Sequence, residues 1–386
     1  MSRLDELIQE LCPNGVPFVR ISECCTLEKG RIPIQKAVSG QYPLVVTTAE
    51  RKTCNTYQFD KPTVCIPLVS SRGHGVASLN ELFYQEGKFA LGNILCGVTP
   101  KDENRLSAKF LHAYLNHKKD FLLVTQMKGG ANVSLSVDAI GKVKVPIPPL
   151  PVQKEVIRIL DVFSEHANLL TAELTARKKQ YEHYTYQLLN FDDTIKTFEL
   201  RYLIDFRNGK GHEKAIVGDG KYIVVNSKFI STNGEVKKYS NKQICPLYID
   251  DILMVMSDLP NGRALAKCFL VTEDDKYTLN QRIGAFHVKD ESVIITRFLL
   301  YALNRNQQLL RYDNGVDQTN LRKDDILDIM IPVPSIEEQK RIVAILDRFD
   351  TLCNDISTGL PAEIAARQKQ YEYYRDMLLT FKEASV

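Results

Sequence analysis

The sequence predicts an α+β protein in which two mixed α/β domains are joined by two long helices packed as an antiparallel coiled coil, with an internal pseudo-two-fold repeat. Three observations lead to this architecture. "QKEVIRILDVF" at 153–163 returns as "QKRIVAILDRF" at 339–349, with six of eleven residues identical. "RKKQYEHYTYQLLNF" at 177–191 returns as "RQKQYEYYRDMLLTF" at 367–381, with nine of fifteen identical. Between the repeated blocks lie two longer stretches of short β runs that match only in outline. A chain of 386 residues suits two domains of about 100–200 residues each. The expected division is 1–146, first domain; 147–195, central helical region; 196–330, second domain; 331–386, C-terminal helical region.

In the first domain, "PTVCIPLVSS" is one of several β runs broken by Gly, Pro and Asn, and "SAKFLHAYLNHKKDFLLV" is a late helix. The domain closes on "VKVPIPPLP" at 143–151. Proline lacks a backbone donor and restricts the residue before it, so this stretch ends a strand and prepares a helix. In the central region, Val156, Leu160, Phe163, Ala167, Leu170, Leu174, Tyr181, Tyr184 and Leu188 follow steps of 3 and 4, a heptad seam interrupted only at Arg177. A helix over 153–189 would be about 55 Å long at 1.5 Å per residue. It cannot bury its seam alone, and its own repeat is the natural partner.

The second domain repeats the plan with "DDILMVMSDLP" as a β run and "ITRFLLYALNRNQQLLRY" as the late helix. "GKYIVVN" at 220–226 echoes "GQYPLVV" at 40–46, and the stretch starting at Asp313 echoes 128–148. "IMIPVPSIEE" then leads into the second seam: Ile342, Leu346, Phe349, Cys353, Ile356, Ile364, Tyr371, Tyr374 and Leu378, with Arg367 in the place of Arg177. "STGLPAEI" at 357–364 adds four residues containing Gly359 and Pro361, so this helix should break or kink there.

Composition narrows the function classes. An apolar fraction of 44% and a charged fraction of 25% describe a globular protein, not a disordered or fibrous one. No window approaches 18 uninterrupted apolar residues, so no transmembrane helix is expected. Charges interrupt the apolar positions of "MSRLDELIQELCPNG", unlike a secretory signal, and a cytoplasmic location is expected. Nine cysteines without C-x-x-C spacing read as reduced, buried thiols and not as a zinc site. Net charge is +5 for 1–146, −2 for 147–195, +2 for 196–330 and −2 for 331–386. Positive charge thus belongs to the two domains, as a polyanion-binding surface would have it.

No catalytic constellation stands out. "RGHGVAS" at 72–78 lacks the third Gly or the Lys-Ser/Thr of a phosphate loop. "PIPPLP" lacks the Asn or Asp and the aromatic residue that an amino-methyltransferase needs to hold the amine and stack on the base. His112 and His117 are five apart, a poor spacing for one metal. What recurs is a set of Gly-, Asn-, Ser- and Arg-rich loops: "EKGR", "TTAERK", "SSRGHG" and "KGGANVS" in the first domain, "RNGKGH", "NSK", "SDLPNGR" and "GVDQTNLRK" in the second. Arg and Lys can pair with guanine edges or phosphates, Asn and Gln with adenine, and Gly and Ser let backbone approach phosphate. Ordinary solvated turns are the competing reading of any one of these residues.

The repeated helical blocks, the proline-rich strand exits and the opening "LDELIQELCPNGV" resemble the specificity subunit of type I restriction-modification systems over the whole chain. The resemblance implies a non-catalytic subunit with two target-recognition domains, each reading one part of a bipartite site on double-stranded DNA. Two modification subunits, binding S-adenosylmethionine, would methylate adenine; two restriction subunits would translocate and cleave with ATP and magnesium; this chain would hold no cofactor or metal. Candidate DNA contacts are Arg31, Arg51, Ser71, Arg72, His74, Lys128, Asn132 and Ser134 in the first domain. In the second they are Lys210, Asn226, Lys228, Asn261, Arg263, Gln318, Asn320 and Arg322. Gln153, Lys154, Gln180, Glu182, Gln339, Lys340, Gln370 and Glu372, off the heptad seam, become candidate docking faces for modification subunits, with a solvated helix face as the alternative. The competing reading of the whole chain is a coiled-coil scaffold holding two protein-binding adaptor domains.

Overall fold

The strand Thr63–Pro67 is buried along its whole length, and so is Ile252–Val255. Uninterrupted apolar runs of this kind form strands covered on both faces, and each is an inner strand of a four-stranded antiparallel sheet. The first sheet runs Cys25–Lys29, Leu95–Pro100, Thr63–Pro67, Phe83–Gln85; the second runs Ile204–Asn208, Ile283–Val288, Ile252–Val255, Cys268–Leu270. The strand order is the same, so the weak sequence echo between the domains reflects one architecture used twice. These features come from a computed structural model that describes residues 3–48, 50, 52–72, 75–260, 262–355 and 357–384.

The chain divides into two compact units, Met1–Ala172 with Glu363–Val386, and Glu173–Ala362. The four sequence regions therefore do not map one to one onto compact units, because each unit holds one domain together with part of both helical regions. The first unit packs Phe110, Leu111, Tyr114 and Leu115 of the helix Ala108–Leu122 into one core with Val64, Ile66, Cys96 and Val98. The second packs Phe298, Leu299 and Leu303 of Thr296–Leu303 with Ile252, Met254 and Phe286. The second late helix is shorter than its sequence suggests. Arg305 takes a positive φ of 58°, its N–H donates to the carbonyl of Ala266 at 2.8 Å, and Asn306 caps a separate turn, Gln307–Leu310.

Each domain hands over to its helix through a short ladder, Phe18–Arg20 with Lys144–Pro146 and Thr197–Glu199 with Met330–Pro332. The helices that follow are Leu150–Leu189 and Ile336–Asn354, the latter resumed by Leu360–Leu378. Within the first unit, Gln153 lies beside Ser107, Phe381 meets the ring of Phe110 at 5.8 Å, and Phe163 stacks on Tyr374 at 5.1 Å. Residue numbers rise along one helix as they fall along the other, which is antiparallel pairing. The second unit shows the same order: Gln339 beside Ile295, Phe191 near Phe298 at 6.4 Å, Tyr181 stacked on Phe349 at 6.1 Å.

Val156, Leu160, Ile342 and Leu346 are buried in these pairings, and Phe163, Leu170, Leu174, Tyr181, Phe349, Ile364 and Tyr371 are half-buried; Ile356 lies outside the described residues. The second helix is interrupted between Asn354 and Leu360. There the Asp355 carboxylate accepts hydrogen bonds from the N–H and hydroxyl groups of Ser357 and Thr358, which hold its pKa down to about 2. A Cβ on Gly359 would sit 2.4 Å from the Thr351 carbonyl oxygen, so only glycine closes this turn. Pro361 then lies in the first turn of the new helix, where its missing donor is harmless.

Candidate nucleic-acid interface

The loops that recur in the sequence are gathered at one edge of each large sheet by a chain of backbone hydrogen bonds. In the first unit Gly30 N–H donates to Leu95 O at 2.9 Å, Leu68 N–H to Ile94 O at 2.8 Å, Leu135 N–H to Leu68 O at 2.8 Å, and Gly92 N–H to Val45 O at 2.9 Å. These bonds set residues 28–31, 70–72, 128–134 and 47–48 side by side. In the second unit the equivalent donors are Gly209 to Ile283 O at 3.1 Å, Met256 to Arg282 O at 2.9 Å, Leu321 to Met256 O at 2.8 Å and Asn280 to Val225 O at 3.1 Å. They align "RNGKGH", the described residues of 257–263, "GVDQTNLRK" and "NSK" in the same arrangement.

In the first unit, Val69 bridges to Ser134 and Lys128 to Ser134, which closes the turn 128–134 against the loop carrying Ser71 and Arg72. Strand-like alternation there buries Val133 and Leu135 and leaves Asn132 and Ser134 facing water. A cleft of ≈ 590 Å³ lined by Thr47, Thr48, Val69, Ser70 and Ser71 runs beside them. Arg31 stands apart in chemistry: its guanidinium pairs with Glu28 at 2.5 Å, and its N–H donates to Gln58 at 3.1 Å. Its charge is therefore partly neutralised. Arg51 and His74 lie outside the described residues.

The second unit joins its two main loops by a ladder in which Ser257 and Asp258 pair with Asn320 and Thr319. Gln318 Nε2 donates to Ser257 Oγ at 2.8 Å, which fixes one end of the amide. Lys210, Lys228, Arg263, Asn320 and Arg322 are exposed. Asn226 is half-buried and its Oδ1 accepts from Phe229 N–H at 2.9 Å, capping the helix Ser227–Ser231, which commits one acceptor site of its amide to the fold. Asn261 lies outside the described residues. Arg72, Lys128, Lys210, Lys228, Arg263 and Arg322 make no salt bridge among the described residues, so their charge is available to an anion.

The helical candidates divide sharply. Gln153 and Gln339, expected as docking residues, are fully buried and do not present a face to any partner. Gln153 Oε1 accepts from Ser107 N–H at 2.9 Å, and its Nε2 donates to Arg105 O at 2.8 Å and Pro148 O at 2.7 Å. Gln339 Oε1 accepts from Ile295 N–H at 2.8 Å, and its Nε2 donates to Val293 O at 3.0 Å and Pro334 O at 2.9 Å. Each glutamine fastens the start of its domain helix to the long helix, satisfying three backbone groups at once, one of them, the carbonyl of Pro148 or Pro334, in a fully buried bond. Asp161 and Asp347 act nearby: the first meets Lys109 at 3.7 Å, the second meets Arg297 at 2.7 Å and the Tyr301 hydroxyl. Lys154, Lys340, Glu182 and Glu372 are exposed, while Gln180 and Gln370 accept from Arg177 at 3.0 Å and Arg367 at 3.2 Å.

Among the described residues no group of three His, Cys, Asp or Glu side chains could hold a metal, and all nine cysteines are free. His212 is buried, with Nδ1 near Lys210 O at 2.7 Å and Nε2 near Thr278 Oγ1 at 2.9 Å, a structural role. No helix among the described residues is long and apolar enough to cross a membrane.

The family model described as the type I restriction modification DNA specificity domain matches twice, over residues 13–177 and 192–366. A specificity subunit of the EcoR124I/EcoR124II type I restriction enzyme of Escherichia coli is 32% identical over 308 residues, covering 74% of this chain and 73% of that protein. The fold resembles the crystal structure of the S subunit of a type I restriction-modification system from M. genitalium, with TM-score 0.53, 15% identity, and coverage of 94% and 95%. It also resembles a chain from a structural study of type I restriction-modification complex assembly, with TM-score 0.58, 14% identity, and coverage of 96% and 98%.

Proposed function

The chain belongs to the type I restriction modification DNA specificity family, and from that premise we propose that it is the DNA-reading subunit of a restriction-modification complex. Each domain reads one part of a bipartite site, and the paired helices join the two readers. The observation that carries this reading is the recurrence of four loops, rich in Arg, Lys, Asn and Ser, at the same edge of both sheets. Exposed cations without salt-bridge partners suit phosphates, while Asn132, Asn320 and the anchored Gln318 suit adenine edges.

In this reading the chain itself is not catalytic. Methylation of adenine with S-adenosylmethionine belongs to two modification subunits, and ATP- and magnesium-dependent cleavage to two restriction subunits, all in the cytoplasm. Lys154, Lys340, Glu182 and Glu372 are the exposed helical residues offered to the modification subunits. A binding titration against salt tests the DNA-reading role. Phosphate neutralisation gives a steep fall of affinity with salt; a flat response on a duplex containing the methylated motif of cells carrying this chain would favour a protein-binding scaffold.

A further inference from the structure

The two reading edges are alike in backbone and unlike at their tips. The bonds from Leu135 N–H to Leu68 O and from Leu321 N–H to Met256 O, both 2.8 Å, fix the equivalence: position 71 corresponds to 259, and 130 to 316. The first unit carries Ser71 and Gly130 at these places, and the second carries Leu259 and Val316. Among the described residues a side chain at 130 would meet nothing within 4 Å, so their packing does not dictate the difference.

Leu259 is 68% exposed and Val316 76%, yet neither sits on a slack loop. Asp258 accepts from Leu259 N–H at 2.9 Å, Ala264 N–H at 2.7 Å and Leu265 N–H at 3.1 Å, and Gly262 N–H donates back to Leu259 O at 2.9 Å. Asn314 Oδ1 accepts from Val316 N–H at 2.9 Å and Asp317 N–H at 3.0 Å. Two aliphatic groups thus stand exposed on backbone fixed by these bonds, on the same two ladder-joined loops that carry Arg263, Asn320 and Arg322. Asp317, exposed next to Val316, would be repelled by phosphates, so this tip suits base edges better than the DNA backbone. In the major groove the apolar feature is the thymine 5-methyl group, which stands beside the adenine edge that Asn reads.

We propose that Leu259 and Val316 pack on thymine methyl groups in the part of the DNA site read by the second unit, a contact absent from the first. This rests on the DNA-reading function proposed above. The test uses the full-length chain with its modification subunits and a duplex carrying the motif methylated in cells. Thymine is replaced by deoxyuridine in one half of the motif, then in the other. Binding should weaken about fourfold per lost methyl group in one half only. Leu259→Ser and Val316→Gly, which restore the first unit's residues, should bind the thymine duplex more weakly and stop distinguishing it from the uracil duplex. No uracil penalty in either half overturns the proposal, a result the unaltered protein gives even if the variants misfold. An undiminished penalty in both folded variants overturns it as well. Failure to prefer the motif over an unrelated duplex would instead bring down the DNA-reading function on which it rests.

Discussion

Replacing Gln339 with alanine tests the fastening of domain to helix. The substitution leaves the Ile295 N–H and the carbonyls of Val293 and Pro334 without their side-chain partner. A buried polar group left unpaired costs about 1–3 kcal/mol. Only the bond to Pro334 is fully buried and water can reach the other two groups, so the loss of stability should be about 2–3 kcal/mol. Gln339→Glu is the sharper variant, because it keeps the shape but turns the donor toward Val293 O and Pro334 O into an acceptor. At neutral pH it should destabilise by a similar amount and recover as the carboxyl protonates. Denaturant unfolding reads the energy, and hydrogen exchange at Ile295 and over Thr296–Leu303 reads the place. A loss below about 1 kcal/mol with unchanged protection would refute the assignment of Gln339 as a clamp, and Gln153→Ala should behave alike at Ser107.

Three further outcomes are expected. Arg72→Ala or Arg263→Ala should weaken binding of the motif duplex by about 1–3 kcal/mol if the arginine reads a base, or lower the salt slope by about one if it meets a phosphate; titrations at several salt concentrations separate these. Gly359→Ala should destabilise by about 1–3 kcal/mol, seen as a lower midpoint of thermal unfolding, because its Cβ would crowd the Thr351 and Asp355 carbonyls. Burial lowers the His112 pKa from 6.5 despite the Leu82 carbonyl at 2.9 Å and nearby Glu81. The unfolded chain therefore takes up the proton first, and stability present above pH 6.5 declines as pH falls below it. Hydrogen exchange over Ala108–Leu122 between pH 7.5 and about 5.5 should show this, and His112→Gln should reduce it, leaving the part due to His117, whose pKa burial also lowers.

The helical repeat made the architecture legible, because a seam of period 3.5 determines which residues meet a partner helix. The turn at Gly359 followed from residue types that end and begin helices. The buried glutamines were legible too, but the signal pointed inward: Gln153, Val156, Leu160 and Phe163 are spaced 3, 4 and 3, as are Gln339, Ile342, Leu346 and Phe349. A glutamine on the seam belongs to the packed face, whereas Lys154 and Lys340, one residue on, face water. The break after Leu303 was hidden, since no Gly or Pro marks it and the positive φ at Arg305 arises from a tertiary hydrogen bond to Ala266. The candidate DNA-binding loops were legible through their recurrence, but the outward placement of Leu259 and Val316 was not. Residue type does not say whether an apolar side chain in a loop turns inward, and the bonds from Asp258 and Asn314 that fix the backbone at these two positions are visible only in the structure.

The most direct test is methylome sequencing of cells carrying this chain with its modification subunits, repeated with Arg263→Ala and with Arg72→Ala. A two-part adenine-methylated motif interrupted by a fixed gap is expected, with Arg263→Ala relaxing one part and Arg72→Ala the other. A single uninterrupted motif, or one part changing in response to both substitutions, would contradict the assignment of one part of the site to each domain.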